Sequence, residues 1–256
     1  WSSDVCSPIC LVKKNKKLDY VDIGILASSG INKIEVYKKL RIAIISTGDE
    51  ILDITEGLTS GKIYNSNKYS LMARVKELGY DVSLMKHVSD SADKISDAIH
   101  CAARDVDLVI TTGGASVGEK DLVIKAIDLI QGEKLFWKIK IKPGSAVLCS
   151  KVNNTTVISL SGNPTAALTT FELLVKTALE KLNGKKEIKI EREKAILVED
   201  ITKKSTQRRF IRARVSCDEK GQQVYITQTK SGNGILSSAL NSNCLVEIEA
   251  GNLGVK

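Results

Sequence analysis

No stretch of this chain approaches the roughly 18 consecutive apolar residues that a membrane helix needs. A spanning helix is thereby excluded, and no membrane partner is expected. A basic segment followed by an apolar core and a small-residue cleavage site is also missing, so nothing reads as a secretion signal and a cytoplasmic setting is expected. Aromatic residues make up only 4% of the sequence. They are not interleaved with lysines, so the stacking surface that single-stranded nucleic acid requires is absent, and no nucleic-acid partner is expected. The formal charge of +8 then reads as a solvated surface, with a few lysines left for an anionic ligand. The six cysteines are scattered, and no second Cys/His pair completes a zinc site beside Cys6 and Cys10. They read as reduced thiols. His87 and His100 lie far apart and read as packing or surface residues. Internal repeats and low-complexity runs are missing too.

What is present is a set of three glycine-containing turns, each following a short apolar run. They are Ser46-Thr47-Gly48-Asp49-Glu50, Thr112-Gly113-Gly114-Ala115-Ser116-Val117-Gly118 and Leu160-Ser161-Gly162-Asn163-Pro164. In an open parallel sheet such turns gather at the carboxyl edge, where ligands bind. Glycine lets backbone approach a ligand closely, and N–H groups at a helix start attract phosphate. Acidic residues accompany the turns: Asp49, Glu50, Glu119 and Asp121. The combination points to a phosphorylated ligand and a metal.

Between Arg41 and Gly184 strands and helices alternate. Strands are expected at Arg41–Ser46, Asp81–Lys86, Leu108–Thr111 and Val157–Leu160, with Lys134–Ile141 as a strand or ribbon. Helices are expected at Asn67–Leu78, Ser91–Arg104, Asp121–Ile130 and Thr165–Leu182. Repeated βα units imply an α/β fold with a doubly wound, mostly parallel sheet. After Gly184 only short strands follow, near Ala195–Glu199, Phe210–Val215, Gln223–Thr227 and Leu245–Glu249, as in a small all-β, barrel-like domain. Before Arg41 the chain reads as a short helix over Asp22–Gly30 and a short strand at Ile34–Tyr37. The chain opens on Trp1. The division expected is 1–40 as the remnant of a longer N-terminal region, 41–184 as the α/β domain and 185–256 as the β domain.

Several residues read in two ways. Asp49 and Glu50 suit a hard divalent cation, or serve as turn carboxylates. Asp121 caps a helix, or makes a polar contact to the ligand; both can hold. Glu119 reads as a solvated turn residue. Gly113, Gly114, Ser116 and Gly118 form either a tight turn or a cradle for phosphate. Lys138, Lys140 and Lys142 alternate with isoleucines and so share one face of an extended strand, either as a plain amphipathic edge or as anion contacts. Asp90 sits between a strand and a helix, as a cap or as a functional carboxylate.

The spaced motifs resemble those of the molybdopterin molybdotransferases of the MoeA type, a family that includes the E domain of gephyrin. Ile44-Ile45-Ser46-Thr47-Gly48-Asp49-Glu50 resembles the first of them. Gly61-Lys62-Ile63-Tyr64-Asn65-Ser66-Asn67 matches a G-x-I-x-[DN]-[ST]-N segment. Residues Thr112 to Asp121 match the molybdopterin-binding loop, and Trp137-Lys138-Ile139-Lys140-Ile141-Lys142-Pro143-Gly144 resembles a lysine-bearing ribbon. Arg208 to Arg214, with Ser231-Gly232 and Leu236, resemble the terminal β domain. The likeness covers the chain from Asp22 onward. It departs at Lys142-Pro143-Gly144-Ser145-Ala146, where the family reads KPGKP, and at Leu160-Ser161-Gly162-Asn163-Pro164, where it reads LPGNP.

The resemblance implies a function in molybdenum cofactor biosynthesis. Molybdate is inserted into adenylylated molybdopterin with release of AMP, assisted by Mg2+ or another divalent cation. It implies a homodimer, with the molybdopterin adenylyltransferase as a possible further partner. It implies catalytic roles for Glu50, Asp49, Asp90, Asp121, Lys138 and Lys142, with Glu50 and Asp90 at the metal. The ligand would contact Thr47, Gly48, Thr112, Gly113, Gly114, Ser116, Gly118, Ser161, Gly162, Asn163 and Pro164. Lys140 has no counterpart and reads as surface. A molybdopterin adenylyltransferase, or a non-catalytic molybdopterin-binding scaffold, are the alternative functions. In the family the reacting centre is completed by the partner's N-terminal region, so this chain by itself is expected to bind ligand weakly and insert little metal.

Overall fold

The computed structural model describes residues 10–114, 121–202, 204–219, 221–227 and 236–251. In chain order the elements are α1 (Tyr20–Ser28), β1 (Arg41–Thr47), β2 (Ile51–Leu52), β3 (Ile63–Tyr64), α2 (Ser66–Glu77), β4 (Asp81–Val88), α3 (Ala92–Ala103), β5 (Leu108–Thr112), α4 (Leu122–Leu129), β6 (Glu133–Trp137), β7 (Ile141–Lys142), β8 (Leu148–Val152) and β9 (Thr155–Leu160). There follow α5 (Pro164–Thr170), a π-helical turn (Phe171–Val175), α6 (Lys176–Leu182), β10 (Ile196–Leu197), β11 (Arg208–Asp218), β12 (Gly221–Ile226), a 3-10 turn (Leu236–Ala239) and β13 (Cys244–Ile248). Among the described residues no helix is long and apolar enough to cross a membrane.

Six strands form the main sheet in the order β4-β1-β5-β9-β8-β6. The first four are mutually parallel, and β8 and β6 each run antiparallel to their neighbour. The alternation of side chains along a strand explains the layering. Ile42 and Ile44 of β1 join one core with Leu108, Ile110, Leu71, Val75 and Phe171. Ala43 and Ile45 join the other with Val109, Val157, Ile95, Ile99 and Ile127. Both faces of β1 and β5 are therefore buried. This is why those strands read as nearly unbroken apolar runs. The expected mixed α/β fold with a parallel-dominated sheet is the one observed.

Helix boundaries follow their caps. Asp19, Asn65, Ser91, Asp121 and Asn163 each accept backbone N–H groups at the start of α1 to α5. The first helix starts two residues before the expected Asp22 because Asp19 caps it and forms a reciprocal pair with Asp22. The long helix after Pro164 widens at Phe171–Val175. Just before this, Thr169 and Thr170 donate their hydroxyls back to the Thr165 and Ala166 carbonyls, at 2.8 Å each. Such back-bonding loosens the helical ladder.

Three expectations need correction. Residues Ile34–Tyr37 form no strand and pair with none of the strands of the described sheets. Tyr37 instead lies against Gly184 and donates to Asn15 Oδ1 at 2.7 Å. The ribbon over Lys134–Ile141 is broken, since Lys138 adopts φ +63 and the strand stops at Trp137. Lys138, Lys140 and Lys142 therefore do not share one extended face. Strand β8 was not expected from the sequence at all. It is a short run interrupted by Lys151, and it becomes a strand by pairing with both β9 and β6.

The C-terminal part forms a second sheet, β10-β12-β11-β13, which curls as a half-barrel over a small core of Ile201, Ile211 and Ile248. Strand β7 leaves the α/β part to pair with β11, placing Ile141 beside Arg208 and Lys142 beside Arg209.

Phe171 is fully buried and among the largest core side chains. Phe171→Ala should lower the unfolding free energy by about 3–5 kcal/mol, read from urea denaturation. A loss below about 1 kcal/mol would mean that the widened turn collapses over the cavity.

Candidate functional site

The chain leaves β1 through α2 to β4 on one side and then returns through α3 to β5 on the other. Helices α2 and α3 therefore cover opposite faces, and a crevice opens beyond the carboxyl ends of β1 and β5. Such a switch point is where open α/β sheets bind ligands. Two of the three glycine turns lie there, and the third follows β9, the next strand along.

The floor of the crevice is made of backbone. Gly113 has φ +94, and a Cβ placed on it would collide with the Thr47 carbonyl oxygen. Gly114 has φ +64, and a Cβ there would stand 3.0 Å from both Thr47 Oγ1 and Val123 Cγ2. Gly162 lies alongside, within 3.4 Å of Gly113 Cα by the same measure. Thr47 is 3% exposed, and its hydroxyl has no partner among the described residues. A buried unmade hydrogen bond costs about 1–3 kcal/mol, so a polar ligand seated on the glycines would recover it.

The carboxylates gather at the rim. Asp90 donates its N–H to Asp49 Oδ1 at 3.0 Å, and Asp49 donates to Asp90 Oδ2 at 3.4 Å. The loops after β1 and β4 are thereby joined. Lys62 Nζ holds the Asp49 carbonyl at 2.6 Å. Glu50 folds back over Gly48, whose φ is +138 and which has no room for a Cβ beside the Glu50 carboxylate. Asp49, Glu50 and Asp90 are exposed. Among the described residues no group of three or more His, Cys, Asp or Glu could hold a metal ion. Asp49 and Asp90, joined as a pair, could supply the one or two carboxylates that a magnesium-like ion commonly uses, its remaining ligands coming from water and substrate phosphates; no contact joins Glu50 to them among the described residues.

Asp121 is buried and caps α4, accepting from Val123 and Ile124. Burial pushes its carboxyl above the usual range, against the lowering by those N–H groups and by the charge of Lys138. The structure thus brings Lys138 near Asp121, with its ammonium also over the Trp137 ring. Lys142 lies apart from Lys138 and beside Arg209 of β11. Ser116 and Gly118, with Glu119, lie outside the described residues.

Ser161 accepts the Asn163 N–H through its hydroxyl at 3.2 Å, and Asn163 in turn caps α5 with Pro164 as its first residue. Ser145 closes a tight turn by accepting from Ile139 and Val147 through its carbonyl. Gly144, at φ +97, lies against Thr170 and the Ala166 carbonyl. The five described cysteines are unpaired. His87 Nδ1 sits 3.3 Å from Ser46 Oγ, a contact between neighbouring strands.

Sequence reasoning missed four residues at this edge: Asn65, Asn67, Lys62 and Arg209. Asn65 donates to Ser46 Oγ at 2.7 Å. Asn67 donates to Thr112 Oγ1 at 2.9 Å and to the Gly162 carbonyl at 2.8 Å. Asn65 could have been found as the cap before an amphipathic helix. Asn67 and Arg209 stand in stretches that match the family motifs, but the partners that Asn67 reaches and the pairing of Arg209 leave no local signal.

Comparison with known proteins bears on this geometry. The family described as a probable molybdopterin binding domain matches residues 43–181, and the MoeA C-terminal region (domain IV) matches residues 194–256. A molybdopterin molybdenumtransferase of Staphylococcus aureus is 35% identical over 246 residues, and one of Staphylococcus epidermidis is 34% identical over the same length. These matches cover 96% of this chain and 58% of each relative, so the chain spans little more than half of their length. Among solved structures, the molybdopterin biosynthesis MoeA protein of Pyrococcus horikoshii aligns with TM-score 0.79 and 30% identity, over 94% of this chain and 58% of that one. A molybdenum cofactor biosynthesis protein of Pyrococcus furiosus aligns with TM-score 0.68 and 27% identity, over 95% of this chain and 74% of that one. With more than half of its residues matched, the chain belongs to the family of the probable molybdopterin binding domain.

Proposed function

We propose that this chain is the ligand-binding and reacting part of a molybdopterin molybdotransferase, which places molybdate on adenylylated molybdopterin and releases AMP. The observation that carries this reading is the backbone crevice between β1 and β5, floored by Gly113, Gly114 and the orphan Thr47 hydroxyl. Its glycines admit a ligand to the peptide groups, and N–H donors of such turns favour phosphate. Thr112, Ser161, Gly162, Asn163 and Pro164 form the second wall of the cradle. Ser116 and Gly118 belong to the same loop by sequence.

The roles follow from charge and position. Asp49, Glu50 and Asp90 offer oxygen ligands at the rim to a divalent cation such as magnesium. Such an ion, when bound, would polarise phosphoryl and molybdate oxygens. Lys138, close to Asp121, offers positive charge to an oxyanion. Lys142 does so next to Arg209, so the anion contact expected of a single lysine becomes a basic pair. A simple adenylyltransferase is the weaker reading, because it gives the appended β part and its arginine no task. A homodimer, a cytoplasmic setting and contact with the adenylyltransferase that makes the substrate complete the proposal. They rest on the resemblance of the sequence motifs alone.

Gly114→Val should abolish binding of molybdopterin while leaving most of the fold, since the added side chain would meet Thr47 and Val123 at a positive φ. Equilibrium titration checks this, and unchanged affinity would place the ligand elsewhere.

Glu50→Ala should lower metal insertion by at least about tenfold while changing molybdopterin affinity by less than about threefold, because a hard cation needs oxygen ligands and the pterin end can use backbone N–H groups. The two are measured by product formation and by titration in the full-length protein. Equal loss of both would assign Glu50 to the fold or the pterin.

A further inference from the structure

We propose that Asn67 is a positioning residue of the crevice: its side-chain amide sets the spacing and orientation of the glycine turns that follow β5 and β9. The proposal rests on reading those turns as the ligand cradle.

Asn67 is the second residue of α2 and is 9% exposed. Its Nδ2 donates to Thr112 Oγ1 at 2.9 Å and to the Gly162 carbonyl at 2.8 Å. Thr112 Oγ1 then donates to the Ser161 carbonyl at 3.2 Å. An amide nitrogen has two hydrogens, and here both are used. The carbonyls on either side of Gly162 are both held, so the planes of two successive peptides are fixed. The accepting carbonyls lie beyond the last ladder pair of β5 and β9, Thr112 with Leu160. These bonds therefore add nothing to strand pairing; they shape the turn.

The donor is itself well anchored. Asn65, one residue before α2, caps the helix through Lys68 N and binds Ser46 of β1 through Nδ2. Further along, Arg74 grips Glu172 of the π-helical turn with two bonds, at 2.7 and 3.1 Å. The first turn of one helix thus reaches the carboxyl ends of β1, β5 and β9. Aspartate at position 67 would have the same shape and no donor. Serine or alanine would be too short to span both acceptors.

The test uses Asn67→Asp, Asn67→Ser, Thr112→Val and the double variant Asn67→Ser/Thr112→Val. Molybdopterin is titrated against each at a temperature well below its thermal midpoint. Each single variant should bind roughly tenfold more weakly. The double variant should be no more than about twofold weaker than the worse single one, because both changes cut the same relay. Independent multiplied losses, or unchanged affinity in a folded variant, would overturn the proposal. Amide hydrogen exchange supplies a readout that needs no ligand: Asn163, whose N–H is held by Ser161 Oγ, should exchange at least tenfold faster in Asn67→Asp or Asn67→Ser, with the strand amides of β9 unchanged. If the unaltered chain binds no molybdopterin, the cradle reading fails while exchange still decides the role of Asn67. Unchanged exchange at Asn163 in a folded variant sinks the positioning role whatever the ligand. Should Asn67→Asp fail to fold, Asn67→Ser carries both measurements.

Discussion

Everything at the carboxyl edge depends on how closely the turn after β5 approaches the end of β1. Gly113 leaves no space for a Cβ against the Thr47 carbonyl. That contact is backbone on backbone, so no side-chain rearrangement can relieve a substitution there. The approach is possible because β1 and β5 are direct neighbours with both faces buried, which pins their register through Ile42 to Ser46 against Leu108 to Thr112. Close approach brings its own cost. It buries the Thr47 hydroxyl without a partner among the described residues. On the function proposed above, the orphan hydroxyl and the missing Cβ belong to one feature, a floor that could receive polar atoms from a ligand.

Most of the α/β architecture was legible because its signals are local. Apolar runs of four to six residues bounded by turn residues gave β1, β5 and β9. Stripes such as Ile95, Ala98, Ile99 and Ala102 gave α3. The failures came where the outcome depends on neighbours. Ile34–Tyr37 has the composition of a strand and pairs with no other strand. Leu148–Val152 carries a lysine and still becomes a strand, because β9 and β6 supply partners on both sides. The lysine ribbon was read from period-two spacing, and the positive φ of Lys138 breaks that period. At the site the glycine turns and carboxylates could be read from composition. The asparagine relay could not, since Asn67 acts on residues 45 and 95 positions away.

The two departures from the family pattern look different once their neighbours are known. A proline before Gly162 would restrict the backbone by fixing φ. Ser161 instead restrains the same turn by accepting the Asn163 N–H, while its carbonyl is held by Thr112. Rigidity lost in one covalent form is replaced by hydrogen bonds. The lysine missing at Ser145 removes a positive charge from the turn beside α5. The pairing of β7 with β11 brings Arg209 next to Lys142, so the positive charge beside Lys142 comes from two segments far apart in sequence.

That pairing ties the C-terminal sheet to the α/β part of the chain. Its attachment is not only through β7. Arg212 of β11 has its Nε buried without a partner among the described residues. Burial holds its guanidinium below the usual range, with Glu172 acting in the opposite direction and Arg74 reinforcing the shift. Glu172 already pairs with Arg74 of α2, so one carboxylate faces two arginines from different parts of the chain. The desolvation cost of such a cluster makes it a poor source of net stability. What it supplies is direction: the half-buried guanidinium of Arg212 feels the charge of Glu172 only where β11 packs close to that part of the chain. Helix α2 is thereby tied at one end to the cradle through Asn65 and Asn67, and along its length to the helix that carries Glu172. Since Arg212 and Arg209 lie on the same strand, the geometry that seats β11 against Glu172 is also the geometry that brings Arg209 to Lys142.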